Sequence, residues 1–467
     1  MDPRDQRIAE QDQRIAELER EVAELKQLVA TLMERLNRNS RNSHLPPSSD
    51  GPGSRSKTEQ PKGSSKRKRG GQPGHGGHER KMLPADEVDH VVDLFPEQCE
   101  SCWEALPKVS NSPPDRYQST ELPPVRPKTT EYRRHAVTCT CGYTTLAKLD
   151  QVPLSPFGPR LMSLVALFTG VYHLSRRQTV SLLQDVLGVR VSLGAVSAIE
   201  GRVSAALGTA VDEVWAKIES TAVKHADATS WLQGGELRSL WTIATKVVTV
   251  FKILVNGRAE SIKPLFGACK GILVSDRATV FSFWTMARRQ ICWAHLLRKF
   301  VSFSERDGPA GVLGRELLDY AALVFRYWRD HRTGTLDRST YHAWMAPVRT
   351  QLEDCLARAV AAELREVSGS CADILAHKEA LWTFIERTDV EPTNNHAERE
   401  LRAFVLWRKR SFGTQSDRGN VFAERVMTVA HTARKQSVNV LAFLTDCCNA
   451  QLTKTAAPSL FEAKLAA

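Results

Sequence analysis

Between residues 219 and 276 the sequence changes character, and that change decides the fold class. The segments KHADATSW, SLWTIATKVVTVFKILV and GILVSDRA are rich in Val, Ile, Thr and aromatic residues. They read as three or four strands. Gly271 to Asp276 is a short apolar run ending in a carboxylate, the pattern of a strand buried on both faces. Helical patterns flank this block. LSRRQTVSLLQDVLG starts at an N-cap, Ser175, and stops at Gly188, and VSLGAVSAIEGRVSAAL starts at Ser192. After Arg277 the pattern is helical to about residue 385, and PTNNHAERELRAF opens a further helix with Asn394 or Asn395 as its cap. Strands enclosed by helices predict an α/β protein. With 467 residues, it is expected to be multidomain.

The N-terminal part follows other rules. Ile8, Ile15, Val22, Val29 and Leu36 fall seven apart, and Gln11, Leu18, Leu25 and Leu32 follow each of the first four by three. β-Branched residues at one seam position and Leu at the other predict a parallel two-stranded coiled coil over 1–38, and hence a homodimer. Gln11 is polar at the seam and frustrates the first heptad. Residues 39–85 are Gly-, Pro- and Ser-rich. Arg38 to Lys81 holds 11 Lys/Arg and 3 Asp/Glu, a net +8 that is most of the chain's +11. This basic linker, centred on Lys66, Arg67, Lys68 and Arg69, predicts contact with a polyanion, most simply nucleic acid.

In the segment 86–150, Cys99 and Cys102 are separated by two residues, and Cys139 and Cys141 by one. Two such pairs can close a structural Zn²⁺ site with four thiolates, or with three and His135. The competing reading is buried free thiols. Residues 151–215 read as helical, with the outline of a helix-turn-helix; plain helical packing explains the same pattern. No run of about 18 apolar residues is present, so no membrane-spanning helix is expected. The first residues lack the apolar region of a secretory signal, which points to the cytoplasm.

Three carboxylates stand out by position. Asp227 is at the end of one expected strand behind His225, Asp276 at the end of another, and Glu398 in the first turn of a helix. Carboxylates from different elements can converge on magnesium, a hard cation that prefers oxygen ligands. Two metals about 3.5–4 Å apart activate an attacking oxygen and stabilise a leaving one in phosphoryl transfer. An Asp at a strand end is equally an ordinary turn residue. His295, three residues after Cys292, either approaches such a site or a phosphate, or is a satisfied core histidine. From 398 to 435 there are 9 basic and 4 acidic residues. Arg399, Arg402, Arg408 and Lys409 beside Glu398 suit a phosphate backbone, or else form a solvated face.

The ordered motifs resemble those of insertion sequence 66 family transposases over roughly residues 10–450. The matching features are NSRNSHLPPSSDG with GGQPGHGG, the two cysteine pairs, His225-Ala226-Asp227-Ala228-Thr229-Ser230-Trp231, Val274-Ser275-Asp276, Cys292-Trp293-Ala294-His295 with Arg298-Lys299-Phe300, and Asn394-Asn395 through Glu398-Arg399 to Arg408-Lys409 and Gly413. The resemblance implies an RNase H-like catalytic domain over 216–450, with a helical insertion at about 285–390, and a tail over 451–467. It implies that Asp227, Asp276 and Glu398 hold a Mg²⁺ (or Mn²⁺) pair for cleavage at transposon ends and strand transfer into target DNA. It also implies a bacterial, nucleoid-associated protein working with small accessory proteins of the same element. The chain departs from the pattern at Ala228, where the family has Glu, and at Arg277-Ala278, where it has Gly-Tyr. A nuclease or resolvase that cuts without joining, and a zinc-containing DNA-binding regulator with a dead centre, are the rival readings.

Overall fold

The structure is a computed structural model that describes residues 14–15, 17–27, 29, 33, 81–148, 155–364 and 367–461. It divides into two compact units, one formed by 1–54 with 129–467 and one by 55–128. The described residues between 14 and 33 are helical, and Ile15, Leu18, Val22, Leu25 and Val29 are exposed on them.

Residues 81–128 contain no buried residue; a single 3₁₀ turn, Ala85–Glu87, and a bridge between Gln98 and Ala105 are their regular structure. In the larger unit, β1 (Ala136–Thr138) and β2 (Thr144–Leu146) form an exposed antiparallel hairpin.

The centre of the larger unit is a five-stranded mixed sheet in the order β5-β4-β3-β6-β7. Its strands are β3 (Val223–Gln233), β4 (Glu236–Ala244), β5 (Thr249–Leu254), β6 (Ile272–Ser275) and β7 (Arg289–Ile291). β3, β4 and β5 form an antiparallel meander. Gly234 and Gly235, both at positive φ, make the two-residue turn between β3 and β4, because such a hairpin loop needs left-handed backbone at both positions. β6 runs parallel to β3, and β7 parallel to β6. Gly271 leads into β6 at φ +90°, where a Cβ would fall 2.1 Å from the Ala222 carbonyl oxygen, so only glycine lets the two strands meet here.

Before the sheet come α1 (Pro159–Ala166), which continues as a π-turn over Leu167–Val171, α2 (Arg176–Leu187), α3 (Leu193–Ala206) and α4 (Gly208–Ser220). The expected caps are present: Ser175 and Gln178 form a capping box, Gly188 is left-handed, and Ser192 accepts from the Ala195 amide. After β7 come α5 (Trp293–Ser304), α6 (Gly308–Arg332), α7 (Arg338–Ala361) and α8 (Ser368–Ala376). The chain closes with α9 (Asn395–Ser411), α10 (Asp417–Lys435) and α11 (Val440–Thr453).

Two apolar cores flank the sheet. Val196, Ile199 and Val203 of α3 share the first with Ile243, Phe251, Phe404, Trp407, Val426 and Leu444. The segment read as a separate helical region over 151–215 therefore packs in one core with the sheet. The second joins Ile272, Val274 and Ile291 to Trp293, Phe300, Leu317, Leu352 and Ile374 on α5–α8. Leu273 faces the first core and its neighbours face the second, as expected of a strand covered on both sides.

Strand β7 corrects the expectation of unbroken helix after Arg277. Its sequence is Arg-Gln-Ile, too short and too polar to read as a strand, yet all three residues are buried. The polar pair finds partners from distant parts of the chain, although Arg289 Nε is left without one. Arg289 donates to Ser275 Oγ at 3.2 Å and to the Asp276 carbonyl at 3.0 Å, and Gln290 Nε2 donates to the Leu381 carbonyl at 3.0 Å. No described helix is long and apolar enough to cross a membrane.

Candidate active site

Neighbouring parallel strands supply the first two carboxylates. The β3–β6 register pairs His225 with Val274, so two residues further along, Asp227 comes beside Asp276. Asp276 follows directly on β6, as expected. Asp227 lies inside β3 rather than at its end, opposite Thr242 of β4. β3 runs on past it because β4 continues to pair with it as far as Gln233. Each carboxylate accepts one backbone amide: Ala228 N–H donates to Asp227 Oδ1 at 2.8 Å, and Ala278 N–H to Asp276 Oδ1 at 3.0 Å.

Glu398 stands in the first turn of α9 and its charge acts on Asp227, but the ligand oxygens of Asp227, Asp276 and Glu398 do not all lie within 4.8 Å of one another. Glu398 Oε1 lies 3.4 Å from Arg298 Nη2 and 3.7 Å from His295 Nδ1, both on α5. His295 thus stands against a carboxylate of the site rather than in the apolar core.

The electrostatics report the crowding. Burial pushes the Asp227 carboxyl up to about 8; the charges of Asp276 and Glu398 add to the rise, while the Ala228 amide and Arg298 oppose it. Asp276 is also raised, first by burial, with the Ala278 amide, Arg289 and Arg277 pulling the other way. Like charges gathered in a half-buried place favour keeping a proton, or binding a cation. A divalent ion is the chemical answer to such a donor set of hard oxygens.

Asn394 aligns these elements. It was expected as a helix cap, but its side chain does not cap α9. Fully buried, it donates from Nδ2 to the Ala226 carbonyl at 2.8 Å, and its Oδ1 lies 3.3 Å from His225 Nδ1. Its own amide donates to Cys292 Sγ at 3.1 Å. Through its side chain and its backbone amide, this one residue ties His225 and Ala226, just before Asp227, to the helix carrying Glu398 and to the start of α5. The geometry requires His225 to carry its proton on Nδ1. Burial, with the nearby His396, lowers the His225 pKa to about 3, so the ring stays neutral.

The predicted cationic residues divide. Lys66, Arg67, Lys68 and Arg69 lie outside the described residues. Arg399, Arg402 and Lys409 are exposed on the helix that carries Glu398. Arg408 is engaged by the protein itself: its Nη1 donates to Thr229 Oγ1 at 3.2 Å and to the backbone and side chain of Ser230. Just beyond, Gly413 sits at φ +92° with a would-be Cβ 2.0 Å from the Leu232 carbonyl, hooking the end of α9 onto β3.

The cysteine pairs fall in different compact units, and each is a tight turn. Trp103 N–H donates to the Cys99 carbonyl, and Gly142 N–H to the Cys139 carbonyl, both at 2.9 Å. Backbone amides of Cys102 and Ser101 lower the Cys99 thiol, and the Cys141 amide lowers Cys139. Cys102, Cys139 and Cys141 are exposed, which does not fit thiols filling a core. Turns that aim amides at sulfur, in segments with no buried residue, fit thiolate ligands of a structural metal.

The sequence reading passed over several residues. Arg289 and Asn394 are buried polar residues with no periodic signature. Glu400 accepts from His431 at 2.5 Å and lies 3.0 Å from Lys435; the spacing of His431 and Lys435 on one helical face was the available signal.

The family model described as "Transposase IS66 family" matches residues 155–421, more than half of the chain. A family of unknown function matches residues 1–81. No curated protein matches the chain.

Proposed function

The chain belongs to the IS66 family of transposases, and from that premise we propose that it cuts DNA at transposon ends and joins them to target DNA through a metal pair held by Asp227, Asp276 and Glu398. The observation carrying this reading is the parallel β3–β6 register that brings Asp227 beside Asp276, where burial, with the charges of Asp276 and Glu398 adding to it, lifts the Asp227 carboxyl to about 8. The antiparallel meander continued by two parallel strands supports an RNase H-like catalytic domain, with α5–α8 as the insertion between the second and third carboxylates.

When bound, the Mg²⁺ (or Mn²⁺) pair would activate the attacking oxygen and neutralise charge on the scissile phosphate. The chain's own contribution is positioning. Asn394 fixes β3 against α9, and Arg289 fixes the backbone of Asp276. Arg298 sets a positive charge 3.4 Å from Glu398. Arg399, Arg402 and Lys409 supply exposed positive charge for the phosphate backbone beside the centre. The basic linker adds sequence-independent attraction, and the two cysteine pairs supply thiolates for structural zinc. The exposed seam Ile15, Leu18, Val22, Leu25 and Val29 supports pairing of two protomers, which would bring two transposon ends together.

The test is cleavage and strand transfer on oligonucleotides carrying the element's ends. Asp227→Asn, Asp276→Asn and Glu398→Gln should each reduce Mg²⁺-dependent cleavage by at least about a thousandfold, the scale of losing a central transition-state contact. DNA binding in a mobility-shift assay should persist. Cleaved but never joined ends would favour a nuclease or resolvase. Unaltered activity in Asp227→Asn would remove the metal assignment.

A further inference from the structure

Cys292, His295 and Glu398 present a sulfur, a ring nitrogen and a carboxylate oxygen, all within 4.8 Å of one another. Among the described residues no other group of three such donors lies so close. Two helix starts build it. Cys292 precedes the first residue of α5 and His295 lies in its first turn, while Glu398 comes from the first turn of α9. The Asn394 amide ties these two ends together by donating to Cys292 Sγ at 3.1 Å.

The donor set has a chemical preference that the carboxylates alone do not. Magnesium takes oxygen ligands and does not select sulfur. Thiolate with imidazole and one carboxylate selects zinc and its neighbours. Three protein donors leave one position of a tetrahedron for water, as in zinc sites that are not purely structural. The cysteine is fully buried and the other two side chains are 18% and 20% exposed, so the group is closed behind the sulfur and open on the side of Glu398. Glu398 Oε1 faces both His295 and Arg298, so an ion held here would take the place of the Arg298 contact.

We propose that Cys292, His295 and Glu398 form a binding site for a borderline-soft divalent ion of the zinc class, and that occupation of this site withdraws Glu398 from the magnesium centre and inhibits catalysis. Binding exchanges the Cys292 thiol proton for the metal and releases it to solvent. The inhibitory part rests on the assignment of Glu398 to the magnesium pair; the binding part does not.

Zinc bound by the full-length chain, counted by equilibrium dialysis and metal analysis, should fall by one equivalent in Cys292→Ser and by the same one in His295→Asn. The double variant should lose no more than either alone. With cobalt as the probe, the thiolate charge-transfer absorption should weaken in Cys292→Ser by the share of that one site. Serine keeps an acceptor for the Asn394 amide, and His295 is partly exposed, so at least one variant should match the parent in thermal melting. In cleavage assays at fixed Mg²⁺, half-inhibition of Cys292→Ser, relative to its own zinc-free rate, should need at least tenfold more zinc than the unsubstituted chain. Unchanged zinc counts in both variants overturn the site. A lost equivalent with unchanged zinc sensitivity overturns its overlap with catalysis. If the unsubstituted chain shows no Mg²⁺-dependent cleavage, the transposase mechanism fails while the zinc count still judges the site.

Discussion

Two carboxylate clusters share one helix, and they are built on opposite principles. Glu398 and Glu400 are two residues apart on α9. Around Glu400 the chain provides every countercharge: His431 donates at 2.5 Å, Lys435 lies at 3.0 Å, and Lys435 also donates to the Thr245 carbonyl at 2.7 Å. Burial opposes ionisation there, yet the His431 bond and the Lys435 charge outweigh it and hold the Glu400 carboxyl at about 2. Around Asp227 burial, with the charges of Asp276 and Glu398 adding to it, outweighs the Ala228 amide and Arg298, and the carboxyl rises to about 8. At Glu400 the countercharges prevail over burial; at Asp227 burial and like charge prevail although Arg298 opposes them, and Asp276 stays raised although Arg289 and Arg277 lie beside it. The contrast, more than the presence of acidic residues, separates a structural network from a reaction centre.

The largest expected stability effect tests the compensated side. Glu400→Gln would remove the charge facing Lys435 and leave one acceptor oxygen where His431 and Lys435 now use two, costing about 3 kcal/mol, the scale of a broken buried ion pair. Chemical denaturation would measure it. A loss below about 0.5 kcal/mol, within the scatter of surface changes, would mean that water, not the protein, solvates this cluster. Next comes Asn394→Ala, which removes a buried donor and acceptor between β3 and α9. It should cost about 2 kcal/mol and also lower the cleavage rate, because Asp227 and Glu398 lose their common brace. Asn394→Asp keeps the shape but adds a further negative charge and should not restore the rate. On the uncompensated side the sign reverses. Asp227→Asn should stabilise the metal-free protein by about 1 kcal/mol at pH 8 while abolishing cleavage, the usual trade between stability and a strained site.

The same contrast explains what was legible beforehand. Asp276 and Glu398 were readable because a strand end and a first helical turn leave local signatures, and the strand block with its flanking helices marked out the fold class. Asp227 was readable as a residue but misplaced within its strand, since the length of β3 is set by pairing with β4 beyond it. The brace through Asn394 was hidden: the motif suggested a cap, whereas its side chain reaches His225 and Ala226, some 170 residues earlier. β7 was hidden because buried Arg289 and Gln290 replace the apolar pattern with hydrogen bonds that exist only after folding. Arg408 looked like a free phosphate contact, and its bonds to Thr229 and Ser230 again depend on which strand α9 packs against.

The most discriminating effect is in pH. A carboxylate whose folded pKa is raised binds its proton more tightly when folded, so its contribution to stability is complete below the unfolded value, near 3.9, and drains away as pH rises. For Asp227 that window runs from about 4 to about 8, and Asp276, raised in the same direction, adds to the decline. Glu400 acts elsewhere: with a folded value at about 2, its contribution is complete above about 4.5 and is lost only as pH falls from there toward 2. Thermal melts across pH 2–9 should therefore show a decline between 4 and 8 that becomes shallower in Asp227→Asn, and a separate acid limb that this substitution leaves alone. Magnesium should oppose the first decline and not the second. Below about pH 8 the ion must displace a proton from Asp227, so its apparent affinity should rise by up to about tenfold per pH unit and then level off. If Asp227→Asn kept the full slope between pH 4 and 8, the carboxylates would not share one electrostatic field, and the two clusters would no longer differ in kind.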